Sequence, residues 1–338
     1  MKRQGISLLE LLVVIFLLVI FVIIVIPGLN NSKGLERRSS CQNNLKQWGV
    51  IFSLYAAEQS DYFPPLQITN KNARGWPALE LTGSPPALEL AAAPMVSSWY
   101  PNYNTDPGIL ICLNDSQHSV DEFKDDRGDW NFWKSGNNHK AGCSYAYFGW
   151  TFDLLKDPSL PPQDIGSFDA LMSAAAAFEF TPPKEVLVPA QFGAAMNVLF
   201  QDAAHILDHA NLGVKLFEIA DKDLEVPQGY GNNGGDLIYR LKRGNERLMT
   251  TDTNNPTTVD RVQSTLFVMM DKIAKRGDIL LFNHLPGGAN VLFMDGHVDW
   301  IPYIAPPPDH TNGPTMDFGS MQPVLPSMAN ILDIFSKE

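Results

Sequence analysis

The sequence predicts an α+β protein: one long amino-terminal helix, followed by a mixed body that carries a β-hairpin. Three observations point there. An apolar run from Ile6 to Ile26 passes into helically spaced apolar residues that end near Glu58. Strand-like stretches bounded by turn residues follow in the body. Near the carboxyl end, an Asp-Gly pair sits inside an alternating segment, the strongest short-range hairpin signal. The length of 338 residues allows one large domain or two small ones.

The first element begins "MKRQGISLLELLVVIFLLVIFVIIVIPGL". Only Ser7 and Glu10 interrupt its apolar run. As a helix, 6–26 would reach about 31 Å, roughly the thickness of bilayer hydrocarbon. It is too long for a cleaved signal's apolar core and has no small-x-small site behind it. A carboxylate within such a span costs about 2.5–3.5 kcal/mol on insertion scales, and a plain membrane anchor gives no reason to keep Glu10. Lys2 and Arg3 precede the run while Lys33, Arg37 and Arg38 follow it, so charge does not fix its orientation. Beyond Pro27 and Gly28, which permit a kink, Leu45, Val50, Phe52, Leu54 and Tyr55 recur at mostly helical intervals. "SDYFPP" then ends the helix, giving one element over 6–58 and a body over 59–338.

The body shows no repeat of fixed period. Strands are expected in "GILIC", "CSYAYFGW", "GDLIYRL", "ERLMTT" and "ILLFNH", and helices in "SFDALMSAAAAFEF" and "AQFGAAMNVLFQDAAHILDHA". In the second helix Phe192, Met196, Leu199, Ala203, Ile206 and Leu207 share one face. "GSPPALELAAAPMVSSWYPNYNTDPG" and "IAPPPDHTNGPTMDFGSMQP" read as loops. The terminal hairpin is expected over 290–303, closed by a two-residue type I′ turn at Asp295-Gly296. That turn pairs Phe293 with Val298 and Val291 with Trp300, facing the core, and leaves His297 and Asp299 on the other face.

A net charge of −12 argues against general nucleic-acid binding. Arg240, Lys242, Arg243 and Arg247 read as a solvated strand-and-turn surface. The three cysteines, Cys41, Cys112 and Cys143, form no C-x-x-C pair; outside the cytoplasm they allow one disulfide and one thiol, with the pairing open. In "HILDH", His205 and His209 have the spacing of two zinc ligands with Asp208 between them, but no third ligand follows, and two histidines on a polar helix face explain the pattern equally well. His284, Asp295, His297 and Asp299 could gather near the hairpin. "DEFKDDRGDW" lacks the calcium-loop pattern and reads as a solvated acidic turn. "GYGNNGGD" lacks the Lys-Ser/Thr of a phosphate loop, and neither G-x-S-x-G nor a Cys-His nucleophile pair is present. No catalytic constellation emerges, so the chain is not expected to be an enzyme.

A short basic leader ending in Gly5, followed by "ISLLELLVV", resembles the processing site of type IV prepilins and type II secretion pseudopilins. The resemblance implies that a prepilin peptidase removes 1–5 after Gly5 and methylates the new terminus at Ile6, where Phe or Met is more usual. Glu10 then becomes the fifth mature residue, where the family keeps a glutamate that pairs with a neighbouring subunit's amino terminus. "FNHLPGGANVLFMDGHVDWI" is similar to the H-x₉-D-G motif that closes a group of bacterial prepilin-like proteins, except that ten residues separate His284 from Asp295 and Gly296. "CQNNLKQWGVIFSLYAAEQSDYFP" and "RLMTTDTNNP" resemble other phrases of that group. The implied fold is pilin-like, with the helix's second half against an antiparallel sheet in an enlarged head. The implied function is a structural subunit of a pilus or secretion filament. Its helix 6–26 would sit in the bacterial inner membrane, with the head periplasmic or extracellular and other pilin-like subunits as partners. A membrane-tethered surface module that binds a ligand or polymer is the alternative. The phrases "SCQNN" and "ILICLNDS" lean towards a Cys41–Cys112 disulfide, with Cys112–Cys143 close behind. No cofactor is implied; calcium is the metal that some pseudopilin heads hold, and its ligands here are unassigned.

Overall fold

A computed structural model of the chain describes residues 8–70, 73–74, 80–81, 88–115, 118–130, 139–155, 157–177, 187–206, 212–249, 256–273, 284 and 288–302. Its first half contains α1 (Leu8–Glu58), β1 (Leu66–Asn70), β2 (Ala73–Arg74), β3 (Glu80–Leu81), β4 (Leu88–Pro94), α2 (Val96–Trp99), β5 (Tyr145–Tyr147), β6 (Gln163–Asp164) and α3 (Asp169–Ala177). Then come β7 (Leu187–Val188), α4 (Ala190–Ile206), α5 (Leu212–Ala220), β8 (Leu224–Glu225), β9 (Leu237–Ile238), α6 (Pro256–Gln263), β10 (Phe267–Asp271), β11 (Gly288–Phe293) and β12 (Val298–Pro302). The fold is mixed, with antiparallel sheets, as an α+β class requires. Its largest sheet has four antiparallel strands in the order β12-β11-β10-β5, and β1 pairs separately with β4.

Strands β5, β10 and β11 are buried on both faces while the edge strand β12 is partly exposed, and period-2 alternation sorts the side chains. Tyr145, Tyr147, Met269, Leu292 and Val298 join a core with Cys41, Leu45, Trp48 and Phe52 of α1. Ala146, Phe148, Met270, Val291 and Phe293 join the opposite core, with Leu171 of α3 and Phe192, Met196 and Leu199 of α4. Phe192 meets Phe148 edge-on at 4.7 Å between centroids, which seats α4 on this face. Leu199 and Ala203 follow on the same buried face, and Ile206 is half-buried.

On α1, Cys41, Leu45, Trp48, Phe52 and Ala56 are buried, spaced three or four residues apart as one helical face must be. Trp48 stacks edge-on to Trp99 at 4.9 Å, and Phe52 lies 5.2 Å from Tyr147. Gly49 permits the close approach of helix and sheet, because a Cβ there would stand 3.2 Å from Leu292 Cδ1. Of the apolar residues expected on this face, Leu45 and Phe52 are buried and Tyr55 is half-buried, whereas Val50 and Leu54 point outwards. α1 ends where Ser60 and Asp61 take left-handed backbone (φ 53° and 69°) and the Asp61 amide closes on Ala56 O at 2.9 Å.

Several expectations need correction. The terminal hairpin runs one residue out of the expected register: Leu292 pairs with Val298, Val291 with Asp299 and Asn290 with Trp300. Within the turn only Gly296 has positive φ (+87°), so the loop is Met294-Asp295-Gly296 and not a type I′ pair. The Asp295 carboxylate accepts from the His297 amide at 3.0 Å, and the Gly296 amide closes on Phe293 O at 2.9 Å. A turn with ordinary φ at Asp and a left-handed Gly after it satisfies both bonds. The slip places Val291 and Phe293 on the face opposite Val298, and the flat ring of Trp300 fits over Gly288, where a Cβ would lie 2.2 Å from it.

"GILIC" forms a 3₁₀ turn over Pro107–Leu110, with Asp106 capping the Gly108 amide at 3.0 Å; "ERLMTT" likewise begins in a 3₁₀ turn, Asn245–Arg247. Apolar content misled there, because turn residues outweigh it. "ALELAAAP", read as loop, is mostly β4: pairing with β1 overrides the weak strand propensity of its alanines. Arg240 is not solvated but buried, donating to Pro64 O, Gly149 O, Phe63 O and Asp221. The "ILLFNH" strand up to Asn283 and the loop over 304–323 lie outside the described residues. Among the described residues no helix is long and apolar enough to cross a membrane; the expected span 6–26 extends beyond them and beyond the described side chains at 11–21.

Candidate functional site

A buried polar cluster lies where α1 meets the sheet. Cys41, on the buried face of α1, is joined to Cys112 in a disulfide with a Cα–Cα separation of 5.5 Å. Cys112 follows the Pro107–Leu110 turn, so the bond ties the helix to a loop 71 residues away. One turn after Cys41, Asn44 donates to Ile111 O at 3.2 Å and to the Tyr145 hydroxyl at 3.1 Å. Burial, followed by the negative charge of Asp271, holds the Tyr145 phenol well above its ordinary pKa, so it remains a neutral hydroxyl.

His284 occupies the centre and is buried. Its Nε2 lies 3.0 Å from Asp271 Oδ2 and 3.6 Å from Cys112 Sγ, and its Nδ1 is 2.8 Å from the Asn114 side-chain amide. The ring stands edge-on to Trp300 at 5.7 Å, and the Arg38 guanidinium lies 4.6 Å over that same indole. Asp271 closes β10 and is fully buried. Its Oδ2 accepts from the Asn290 backbone and side-chain amides at 2.8 and 2.7 Å, while among the described residues nothing donates to Oδ1. Asn290 also reaches Arg38 O at 3.4 Å. One knot therefore joins α1, the loop after Pro107–Leu110, β10, β11 and β12. Its sulfurs, imidazole and carboxylate are shielded from solvent, a geometry suited to holding elements together.

The motif residues separate in space. His284 belongs to this knot, whereas Asp295 and Gly296 form the exposed tip of the hairpin. There His297 contacts Asp295 at 2.5 Å and Asp299 at 3.6 Å, and stacks on Phe293 at 4.4 Å. Cys143 is a buried free thiol whose pKa burial pushes up to about 12, which leaves it protonated and unreactive. Nearby, Asp115 accepts from Ser144 Oγ at 2.8 Å and lies 3.2 Å from His118 Nδ1. His205 is exposed on α4, and Asp208 and His209 lie outside the described residues. In the glycine-rich loop, Asn232 bonds Thr151 O and Asp153 and accepts from the Tyr239 amide, so the loop is braced from inside. In the acidic turn, Asp125 accepts from the Arg127 and Asp129 amides.

Gly5 and Ile6 lie outside the described residues, and Glu10 falls within α1 with its side chain undescribed. Asp271, Asn290, Asn114 and Asn44 escaped the sequence reading. For Asp271 and Asn290 the available signal was a lone polar residue in each of two apolar stretches, "FVMMD" and "GANVLF". Comparison with protein-family models, curated proteins and solved structures finds no match to this chain.

Proposed function

We propose that the chain is a structural, pilin-like subunit of a type IV pilus or type II secretion-type filament. It is processed after Gly5, methylated at Ile6, anchored through 6–26 in the bacterial inner membrane, and carries its head outside the cytoplasm. The observation that carries this reading is the exposure of α1's leading half. Every residue from Leu11 to Phe21 is exposed, from 39% at Ile20 to 64% at Phe21, with no polar side among them. A contiguous apolar rod of that size marks a membrane or protein contact. The sequence of the leader and Glu10 favours assembly as well as anchoring, because the carboxylate suits a neighbour's amino terminus in a core with little water.

The test is to shear filaments from native cells, detect the chain with an antibody to the head, and read its amino terminus by mass spectrometry. Recovery in the filament fraction with methylated Ile6 is expected. An intact Met1, or a cut elsewhere, removes the prepilin reading. A chain with methylated Ile6 that stays wholly in the membrane favours the tethered surface module instead.

A further inference from the structure

We propose that Cys41, Cys112 and His284 bind one zinc ion when the Cys41–Cys112 bond is reduced, with the buried Asp271 carboxylate beside the ring as countercharge, and that disulfide formation empties the site. Two thiolates and an imidazole are zinc's own ligand types, and burial away from solvent suits a structural site.

The sulfur–nitrogen edge fits before any rearrangement. With Zn–S near 2.3 Å and Zn–N near 2.0 Å, a tetrahedron places sulfur and nitrogen about 3.5 Å apart. Cys112 Sγ and His284 Nε2 stand 3.6 Å apart. Asp271 Oδ2 stands 3.0 Å from His284 Nε2, so a negative charge borders the position the metal would take. One ligand atom each from Cys41, Cys112 and His284 lie within 4.8 Å of one another, and all three residues are buried. The remaining edge joins the two sulfurs. Reduction drives them from bonding distance to non-bonded contact, which is close to the roughly 3.8 Å edge that two Zn–S bonds require.

A second observation is independent of the spacing. Asp271 is fully buried, its carboxylate touches the ring atom that would ligate, and its Oδ1 has no donor among the described residues. An unpartnered buried carboxylate oxygen is costly unless a proton, water or cation meets it. Asn290 orients the other oxygen through two bonds. On the far side of the ring Asn114 holds Nδ1, and turning its amide over would supply the oxygen that a protonated Nδ1 needs when Nε2 binds metal.

The conversion balances with a dithiol as reductant. The S–S bond accepts two electrons and two protons and becomes two thiols, while the dithiol closes to its own disulfide. Zinc then displaces both thiol protons. In the reverse direction, an acceptor disulfide oxidises the two thiolates and the metal leaves.

The experiment uses the full chain in detergent, reduced anaerobically with a phosphine that is then removed, and titrated with Co²⁺ as the probe. Reduced protein should bind one equivalent, with intense visible d–d bands of tetrahedral cobalt and a near-ultraviolet thiolate-to-cobalt band. Zn²⁺ should abolish both, and oxidised protein should show neither. Cys143→Ser should keep the bands and Cys112→Ser should lose them, with circular dichroism confirming that both variants fold. Asn114→Ala spares every ligand and should weaken Zn²⁺ by about 10–100-fold. No bands in reduced wild type, equal bands in oxidised wild type, or bands lost with Cys143→Ser and kept with Cys112→Ser would each overturn the proposal. The last result would assign the metal to the Asp115, His118 and Cys143 group.

Discussion

The two halves of α1 share one helix and differ in their surroundings. From Leu11 to Phe21 every side chain is apolar and every one is exposed. From Cys41 to Ala56 the apolar side chains are divided: Cys41, Leu45, Trp48, Ile51, Phe52 and Ala56 are buried in the core shared with the sheet, while Val50 and Leu54 point outwards among polar residues. A sheet can cover only one face of a helix. The rear half, apolar on one face, is completed by such a partner; the front half, apolar all round, cannot be. It needs surroundings that are apolar on every side, which the proposed function supplies as lipid or a bundle of like helices.

The largest expected effect breaks the front half's proposed partnership. Glu10→Ala makes the segment more apolar, so membrane insertion should be retained or improved. Leaving a neighbour's amino group buried and unpaired costs about 3–5 kcal/mol at each contact, so filament assembly should fail while processed subunits accumulate in the membrane. Glu10→Gln, similar in shape but uncharged, should fail nearly as badly. Equal sheared-filament yield from wild type and Glu10→Ala would leave the glutamate without an assembly role.

Next come changes in the rear half, where the partner is already present. Trp48→Ala removes a fully buried indole from between Phe52 and Trp99 and should cost about 3–5 kcal/mol, read from urea unfolding of the full chain in detergent. A loss below about 1 kcal/mol would mean that helix and sheet are not packed as described. Opening the Cys41–Cys112 bond should cost about 2–4 kcal/mol. Without reductant, iodoacetamide should label no cysteine in the folded chain and one after unfolding. Cys143 adds a pH signature. Its thiol shifts from an ordinary 9.0 to about 12 on folding, so its contribution to stability is complete below pH 9 and is lost as pH rises towards 12. Cys143→Ser should flatten that alkaline decline.

The same contrast explains what the sequence could reveal. A uniformly apolar run and a helical repeat of buried positions are local patterns, so α1 and α4 were legible, as was the presence of a terminal hairpin. Its register was not. Asp-Gly fits either a two-residue or a three-residue loop, and the bond from the His297 amide to Asp295 favours the latter. β4 was hidden because its alanines become a strand only through β1, and β10 because an apolar stretch buried on both faces shows no alternation. In the candidate site, the cysteines and His284 stood out as residue types. Asp271, Asn290, Asn114 and Asn44 acquire their roles only when segments up to 252 residues apart meet, as Asn290 and Arg38 do.

The smallest expected effect sharpens the boundary between the halves. Val50 and Leu54, one turn apart on the outward side of α1, are 59% and 49% exposed. Replacing Leu54 with Ser removes apolar surface that folding has only partly covered, and Ser is a slightly weaker helix former. The two losses together should stay near about 0.5 kcal/mol, the usual range for a surface position. A destabilisation as large as that of Trp48→Ala would mean that this side is covered in the isolated protein, and the division of the rear half into two faces would fail. With stability intact, filament yield from Leu54→Ser measures how far the front half's environment extends along the helix. Normal yield confines subunit contacts to positions ahead of Leu54. Loss of filament without loss of stability carries them past Leu54, because a surface that contributes little within one chain can contribute at every contact of a polymer.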